Sequence, residues 1–209
     1  MSPENLRFET LGLILAGGLA RRMGGGDKAL VPLAGSPILG HVIARLQGQC
    51  DGLVLNANGD PARFASYGLP VIADTIPDFA GPLAGILAGL DWLAAHRPTT
   101  PWLLSVAADT PFIPADLTAR LHAARAAAGT PLACAASAGR AHHAIGLWPV
   151  SLREDLRRSL AAGGRKIGAW TSRRGVATAE WPGEPFDPFF NINTPEDLAE
   201  AERFAALVP

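Results

Sequence analysis

The feature that most constrains this chain is an unbroken apolar run at residues 11–16, LGLILA, which passes directly into a glycine-rich basic loop, LAGGLARRMGGGDK at 15–28. An apolar run without polar alternation predicts a strand covered on both faces, as in a parallel sheet packed between helices. The same alternation of patterns continues to the other end of the chain. Strands are predicted at 52–57, 70–73, 102–107, 132–136, 144–148 and 176–181. Helices are predicted at 36–48, opened by Ser36 as N-cap and Pro37 as first helical residue, then briefly after Asp60-Pro61, and at 82–96, 114–128, 151–162 and 165–172. A last helix opens at Thr194-Pro195-Glu196-Asp197, where cap, proline and acid fall in the order of a capping box. Repeated strand–helix–strand units imply an α/β fold of three layers, a Rossmann-like and mostly parallel sheet flanked by helices. No repeat, low-complexity tract or long linker interrupts residues 1–209, so a single domain is expected.

Composition removes several classes of function. Hydrophobic residues at 48% and charged residues at 18% exclude a disordered chain. A net charge of −1 argues against nucleic-acid or anionic-membrane binding, so any anionic ligand must be held by a few local groups. Cys50 and Cys134 stand far apart, form no zinc pattern and read as reduced thiols. The most apolar stretch, 79–95, contains Pro82 and Asp91 and falls short of the ~20 residues that a membrane span needs. The first ten residues carry no apolar signal core, and a cytoplasmic location is expected.

In open α/β sheets ligands bind beyond the carboxyl ends of the strands. Three features fall there: the glycine-rich loop, Asp74 and Asp109. Glycines allow close backbone approach, and their N–H groups can cradle phosphate oxygens. Arg21, Arg22 and Lys28 add positive charge, which together with the glycines points to a nucleoside triphosphate or other polyphosphate. The loop is not a P-loop, because Lys28 lies between Asp27 and Ala29 rather than between Gly and Ser/Thr. Gly24, Gly26 and Ala29 match a dinucleotide fingerprint by letter, but Gly24 lies nine residues past Leu15 and Pro32 interrupts the helix that should follow. Asp109, at the end of a predicted strand, suits a Mg²⁺ ligand or a turn aspartate, and Asp74 has the same two readings.

LAGG at 15–18, RMGG at 22–25, DK at 27–28, Asn56, Asp74 after PVIA, GPLAGIL at 81–87, Asp109-Thr110-Pro111 and NINTPEDL at 191–198 together resemble the molybdenum cofactor guanylyltransferase family, within the GT-A-like nucleotidyltransferases. The resemblance implies transfer of GMP from GTP to molybdenum-bound molybdopterin, with Mg²⁺ as cofactor. It implies nucleotide contacts from Leu15, Ala16, Gly17, Gly18, Lys28, Asn56, Asp74 and Asp109, with residues 15–17 acting mainly through backbone at base and ribose. Lys28 would serve the phosphates and Asp109 the metal, and Arg22, Lys28 and Asp109 are the expected catalytic residues. Asn191 and Asn193 are expected to line the acceptor side, with Arg165 as a further contact and Arg140 and Lys166 as weaker candidates for its phosphate. Molybdenum-insertion and molybdoenzyme assembly proteins are the implied partners.

The acceptor phosphate in such a reaction is already ionised near neutral pH, so no general base is needed and the protein's work is positioning and charge neutralisation. No G-x-S-x-G setting surrounds Ser105 or Ser137. His142 and His143, adjacent on a strand, should face opposite sides and form no metal site. The chain departs from the family pattern at Ala20, where relatives often carry Ser, and at His143, where Pro is common. Alternatives of other kinds are a CTP-dependent molybdopterin cytidylyltransferase, a sugar-phosphate nucleotidyltransferase, and a non-catalytic nucleotide-binding adaptor.

Overall fold

A computed structural model describes residues 9–17, 27–76 and 81–207. The apolar run becomes β1 (Thr10–Leu15). A short hairpin of β2 (Pro32–Leu33) and β3 (Ser36–Pro37) leads into α1 (Ile38–Gln47), followed by β4 (Leu53–Asn56), a 3-10 helix at Pro61–Tyr67 and β5 (Val71–Ile72). Then come α2 (Pro82–His96), β6 (Trp102–Ala107), α3 (Leu117–Ala128), β7 (Leu132–Ser137) and β8 (Arg140–Pro149). The chain ends with α4 (Arg153–Ala161), α5 (Ile167–Ser172), β9 (Val176–Trp181) and α6 (Pro195–Ala205).

Seven strands form one sheet in the order β5-β4-β1-β6-β8-β7-β9. β8 runs antiparallel to both neighbours, and every other pair is parallel. Successive residues of β1 serve opposite faces, as its pleat requires. Ile14 packs with Leu39, Val42, Leu117 and Leu121 beneath α1 and α3. Leu11 and Leu13 pack with Leu83, Ile86, Leu90 and Trp170 beneath α2 and α5. Helices therefore cover both faces, the three-layer α/β arrangement expected. A smaller cluster of Leu33, Ile38, Phe112, Ile192 and Ala201 seats α6 beside the carboxyl end of the sheet.

α4 and α5 begin two residues later than expected, at Arg153 and Ile167, and two further helix starts differ. Ser36 and Pro37 are strand residues, and Pro37 caps α1 with an extended ψ of 144° instead of opening its first turn. The cause is a tight turn at Ala34 and Gly35, both with positive φ, which pairs Ser36 with Leu33. The Ala34 N–H donates to Glu202 Oε1 at 2.9 Å, a contact from α6 that holds the turn. α3 begins at Leu117 rather than at residue 114. Asp116, its N-cap, makes no side-chain cap bond, because its Oδ1 accepts from Trp181 Nε1 at 2.9 Å.

Candidate active site

The carboxyl ends of β1 and β6 lie side by side, and the Ala108 N–H donates to the Leu15 carbonyl at 3.0 Å. Between them is a small cleft lined by Leu15, Ala16, Lys28, Ala29, Ala108 and Asp109. Lys28 is delivered by the 3-10 turn Lys28–Leu30, which fixes the chain leaving the glycine-rich loop. Its residue is only 9% exposed, and its ammonium has two polar partners. Nζ donates to Asp109 Oδ2, forming an ion pair, and to Asn193 Oδ1 at 2.7 Å. A buried cation requires such partners, since an unpaired charge at this depth would be costly.

Asp109 is held from both sides. Asn191 Nδ2 donates to its Oδ1 at 2.8 Å and to Thr110 Oγ1 at 2.9 Å, and the Ile192 N–H donates to its carbonyl at 3.1 Å. Ile192 is fully buried and points away from the two amides, as alternation in an extended segment dictates. The capping box of α6 extends to the same segment, since Asp197 Oδ2 accepts from the N–H groups of both Asn193 and Thr194. Lys28, Asp109, Asn191 and Asn193 thus form one hydrogen-bonded cluster. The two asparagines expected on the acceptor side bond directly to the lysine and the aspartate.

A second polar group lies at the ends of β4 and β5. Asn56 Nδ2 donates to the Ile72 carbonyl at 3.2 Å and to Asp74 Oδ1 at 3.0 Å. Asn58 closes on the same aspartate, donating to Oδ2 at 2.9 Å and accepting from the Asp74 N–H at 2.9 Å. Asn58 was missed in the sequence, yet Asn-Ala-Asn at 56–58 repeats the spacing of Asn-Ile-Asn at 191–193. Gly85 of α2 leaves the space that the Asn56 amide fills, because a Cβ there would stand 2.2 Å from Asn56 Oδ1. Of the backbone groups expected at the base and ribose, the sheet already uses the Ala16 N–H, donated to the Asn56 carbonyl at 2.8 Å, and the Leu15 C=O. Gly17 is exposed, with open space where a side chain would be. Gly18 and Arg22 lie outside the described residues.

The remaining candidates are more dispersed. Arg165 and Lys166 are exposed ahead of α5, and Arg140 is exposed at the start of β8. His142 and His143 face opposite sides, as expected. The His143 ring packs at Gly168 of α5, while the His142 ring packs on Phe189 at 5.0 Å. Ser137 Oγ donates to Asp187 Oδ1 at 2.7 Å and lies 2.7 Å from His142 Nε2. Serine therefore sits between imidazole and carboxylate, whereas a nucleophile relay needs the imidazole between the other two. Asp187 Oδ1 also accepts the Phe189 N–H at 2.8 Å, so this trio braces the segment that carries Asn191. Burial holds the His142 pKa below its ordinary value despite the neighbouring Asp187 carboxylate.

A profile of the MobA-like NTP transferase domain matches residues 12–176. A molybdenum cofactor guanylyltransferase of Bradyrhizobium sp. (strain ORS 278) is 64% identical, with 94% of this chain and 93% of that protein aligned. The protein of the same name from Nitrobacter hamburgensis is 61% identical over 95% of each chain. Among solved structures, molybdopterin-guanine dinucleotide biosynthesis protein A from Archaeoglobus fulgidus superposes with a TM-score of 0.74 at 25% identity, covering 95% of this chain and 100% of that one.

Proposed function

The chain belongs to the MobA-like NTP transferase family, and from that premise we propose that it transfers GMP from GTP to the terminal phosphate of molybdenum-bound molybdopterin, releasing pyrophosphate. We read residues 1–209 as one cytoplasmic nucleotidyltransferase domain. The observation that carries the reading is the convergence of Lys28, Asp109, Asn191 and Asn193 where β1 and β6 end. That cluster puts one cation and one carboxylate beside the glycine-rich loop and holds each in a single orientation.

In this reading Asp74, gripped by Asn56 and Asn58, presents a carboxylate edge to the guanine. A carboxylate accepts two N–H donors, and guanine offers adjacent N–H groups that cytosine and adenine do not. Lys28 exchanges part of its contact with Asp109 for phosphate oxygens and neutralises charge that develops as pyrophosphate leaves. Asn191 and Asn193 keep lysine and aspartate in register on the acceptor side without adding negative charge. Gly18 and Arg22 contribute from the loop, and Arg165 takes an acceptor contact. The acceptor phosphate needs no base, in keeping with the arrangement of Ser137, His142 and Asp187.

The donor set fits Mg²⁺. Asp109 supplies one carboxylate, and no group of three or more His, Cys, Asp or Glu suited to a metal occurs among the described residues. Magnesium is commonly held by one or two carboxylates, with phosphates and water completing its shell. When bound by Asp109, it would neutralise phosphate oxygens of the nucleotide.

Pyrophosphate release measured with GTP, CTP and ATP in the presence of molybdenum-bound molybdopterin tests the proposal. Turnover should be confined to GTP and should require the acceptor. Equal turnover with CTP would remove the guanylyl assignment, and no release with any nucleotide would leave an adaptor.

A further inference from the structure

Between the Asp74 group and the Lys28 cluster lies one side chain that sequence patterns did not single out. Arg63 sits in the 3-10 helix Pro61–Tyr67. Its Nη1 donates to Asp27 Oδ1 at 2.9 Å, forming an ion pair whose side chains are 28% and 12% exposed. Its Nη2 donates to the carbonyl of Asn58 at 2.5 Å. Asp27 is the residue before Lys28 and the N-cap of the turn that presents it. Asn58 is the residue that makes two bonds to Asp74. One guanidinium therefore joins the stem of the phosphate-side lysine to the clamp on the base-side aspartate.

The local fold is built to hold it there. Gly59 adopts a φ of 88°, which turns the chain back after Asn58. Asp60 then caps the 3-10 helix by accepting the Ala62 N–H at 2.9 Å. Phe64, 1% exposed, anchors the next position in the core, and the guanidinium carbon lies 4.9 Å from its ring centroid. The guanidinium fork is planar, so its two bonds hold their acceptors at a set separation, which a flexible ammonium does not do.

We infer that Arg63 is a positioning residue that fixes the distance between the Asp74 base site and Lys28, so that recognition of the base places the α-phosphate for transfer. The inference rests on the proposed nucleotidyl transfer. Arg63 acts through Asp27 and Asn58 and touches no reacting atom. Misplacement of reacting groups by about 1 Å can cost on the order of 10²-fold in rate. Loss of the bridge is therefore read in kcat and in base discrimination.

The test compares wild type with Arg63→Ala, Arg63→Lys, Asp27→Ala and the double variant Arg63→Ala/Asp27→Ala, all assayed well below their unfolding temperatures. Turnover is measured with GTP and ATP, and affinities for guanosine and inorganic tripolyphosphate are measured separately. For Arg63→Ala, kcat with GTP should fall roughly 10- to 100-fold, and the preference for GTP over ATP should narrow. Both fragment affinities should stay within about threefold of wild type, because each half-site remains. Lysine, able to serve one acceptor but not both, should restore only part of kcat. The double variant should be no worse than the more damaged single, as expected for residues acting through one contact. A lowered unfolding temperature with unchanged kcat and base preference would make Arg63 purely structural and overturn the inference. Additive losses in the double variant would do the same. If the wild type turns over another nucleotide in place of GTP, the guanylyl reading falls, while the variants assayed with that nucleotide still decide the role of Arg63. No turnover with any nucleotide sinks both.

Discussion

Three glycines inside helices face different surroundings, so one substitution, Gly→Ala, should change sign among them. Replacing glycine by alanine inside a helix is worth about 1 kcal/mol from backbone propensity alone. At Gly40 of α1 a Cβ meets nothing within 4 Å, so Gly40→Ala should gain most of that amount. At Gly89 of α2 the nearest atoms are Leu13 Cδ2 at 2.7 Å and Leu103 Cδ2 at 3.0 Å. These are methyl ends that can rotate, and the clash should cancel the gain and cost up to about 1 kcal/mol net. At Gly85 the Cβ would stand 2.2 Å from Asn56 Oδ1 and 2.8 Å from Leu15 Cδ2. The Asn56 amide has no free retreat, because its nitrogen is bonded to Ile72 and Asp74. Overpacking of about 1–3 kcal/mol and two weakened hydrogen bonds at about 1 kcal/mol each outweigh the propensity gain. Gly85→Ala should be about 2 kcal/mol less stable, with Tm lower by roughly 4–8 °C for a chain of this length. Because the atom displaced belongs to the proposed nucleotide site, GTP affinity should also fall about tenfold, while Gly89→Ala leaves it unchanged. Thermal unfolding beside calorimetric titration with GTP gives both readings. Gly85→Ala as stabilising as Gly40→Ala, or destabilised with full GTP affinity, would show that Gly85 does not make room for a nucleotide-binding Asn56.

Further outcomes follow from other parts of the structure. Asp109→Asn should retain its fold and lose roughly 10²-fold or more in transfer, with half-saturating Mg²⁺ raised; normal turnover at limiting Mg²⁺ would remove Asp109 as the metal ligand. Asn191→Ala/Asn193→Ala should lower both transfer and Mg²⁺–GTP affinity, because the two amides hold Lys28 and Asp109; lost transfer with unchanged Mg²⁺–GTP affinity would place them on the acceptor side alone. His122, buried between Thr10 and Arg125, has its pKa pushed down to about 4, first by burial and then by the Arg125 charge. The unfolded chain therefore takes up this proton before the folded one. The stability contributed by neutral His122 is whole above pH ~6.5 and is lost as pH falls toward ~4, amounting to on the order of 3 kcal/mol. Denaturant titrations of wild type and His122→Gln across that range should converge in acid, and parallel pH profiles would rule the effect out.

Much of the candidate site was legible because its residues stand where strands end. The apolar run of β1 locates the loop after it, and β6, read at its full length from Trp102 to Ala107, leads to Asp109 at the cleft. Asn191 and Asn193 were legible from their spacing ahead of a capped helix. What the sequence hid depends on contacts between distant segments. The Ala34 turn is held by Glu202, and Asp116 is diverted from capping by Trp181. Arg63 stands in no recognisable pattern, since Asp27 comes from another loop and its bond to nearby Asn58 is to a backbone carbonyl. His142 and Ser137, five apart across a tight turn, meet only once β7 and β8 pair, and Asp187 reaches them from the segment after β9.

In the proposed reaction the bond broken lies between the α- and β-phosphates of GTP, and the nucleotide joins the acceptor. The direct measurement uses GTP labelled with ³²P at either the α or the γ position, incubated with the protein, Mg²⁺ and molybdenum-bound molybdopterin. α-Label should enter the pterin product while γ-label leaves as pyrophosphate. Label from the γ position in the pterin, or free phosphate in place of pyrophosphate, would contradict the proposed reaction.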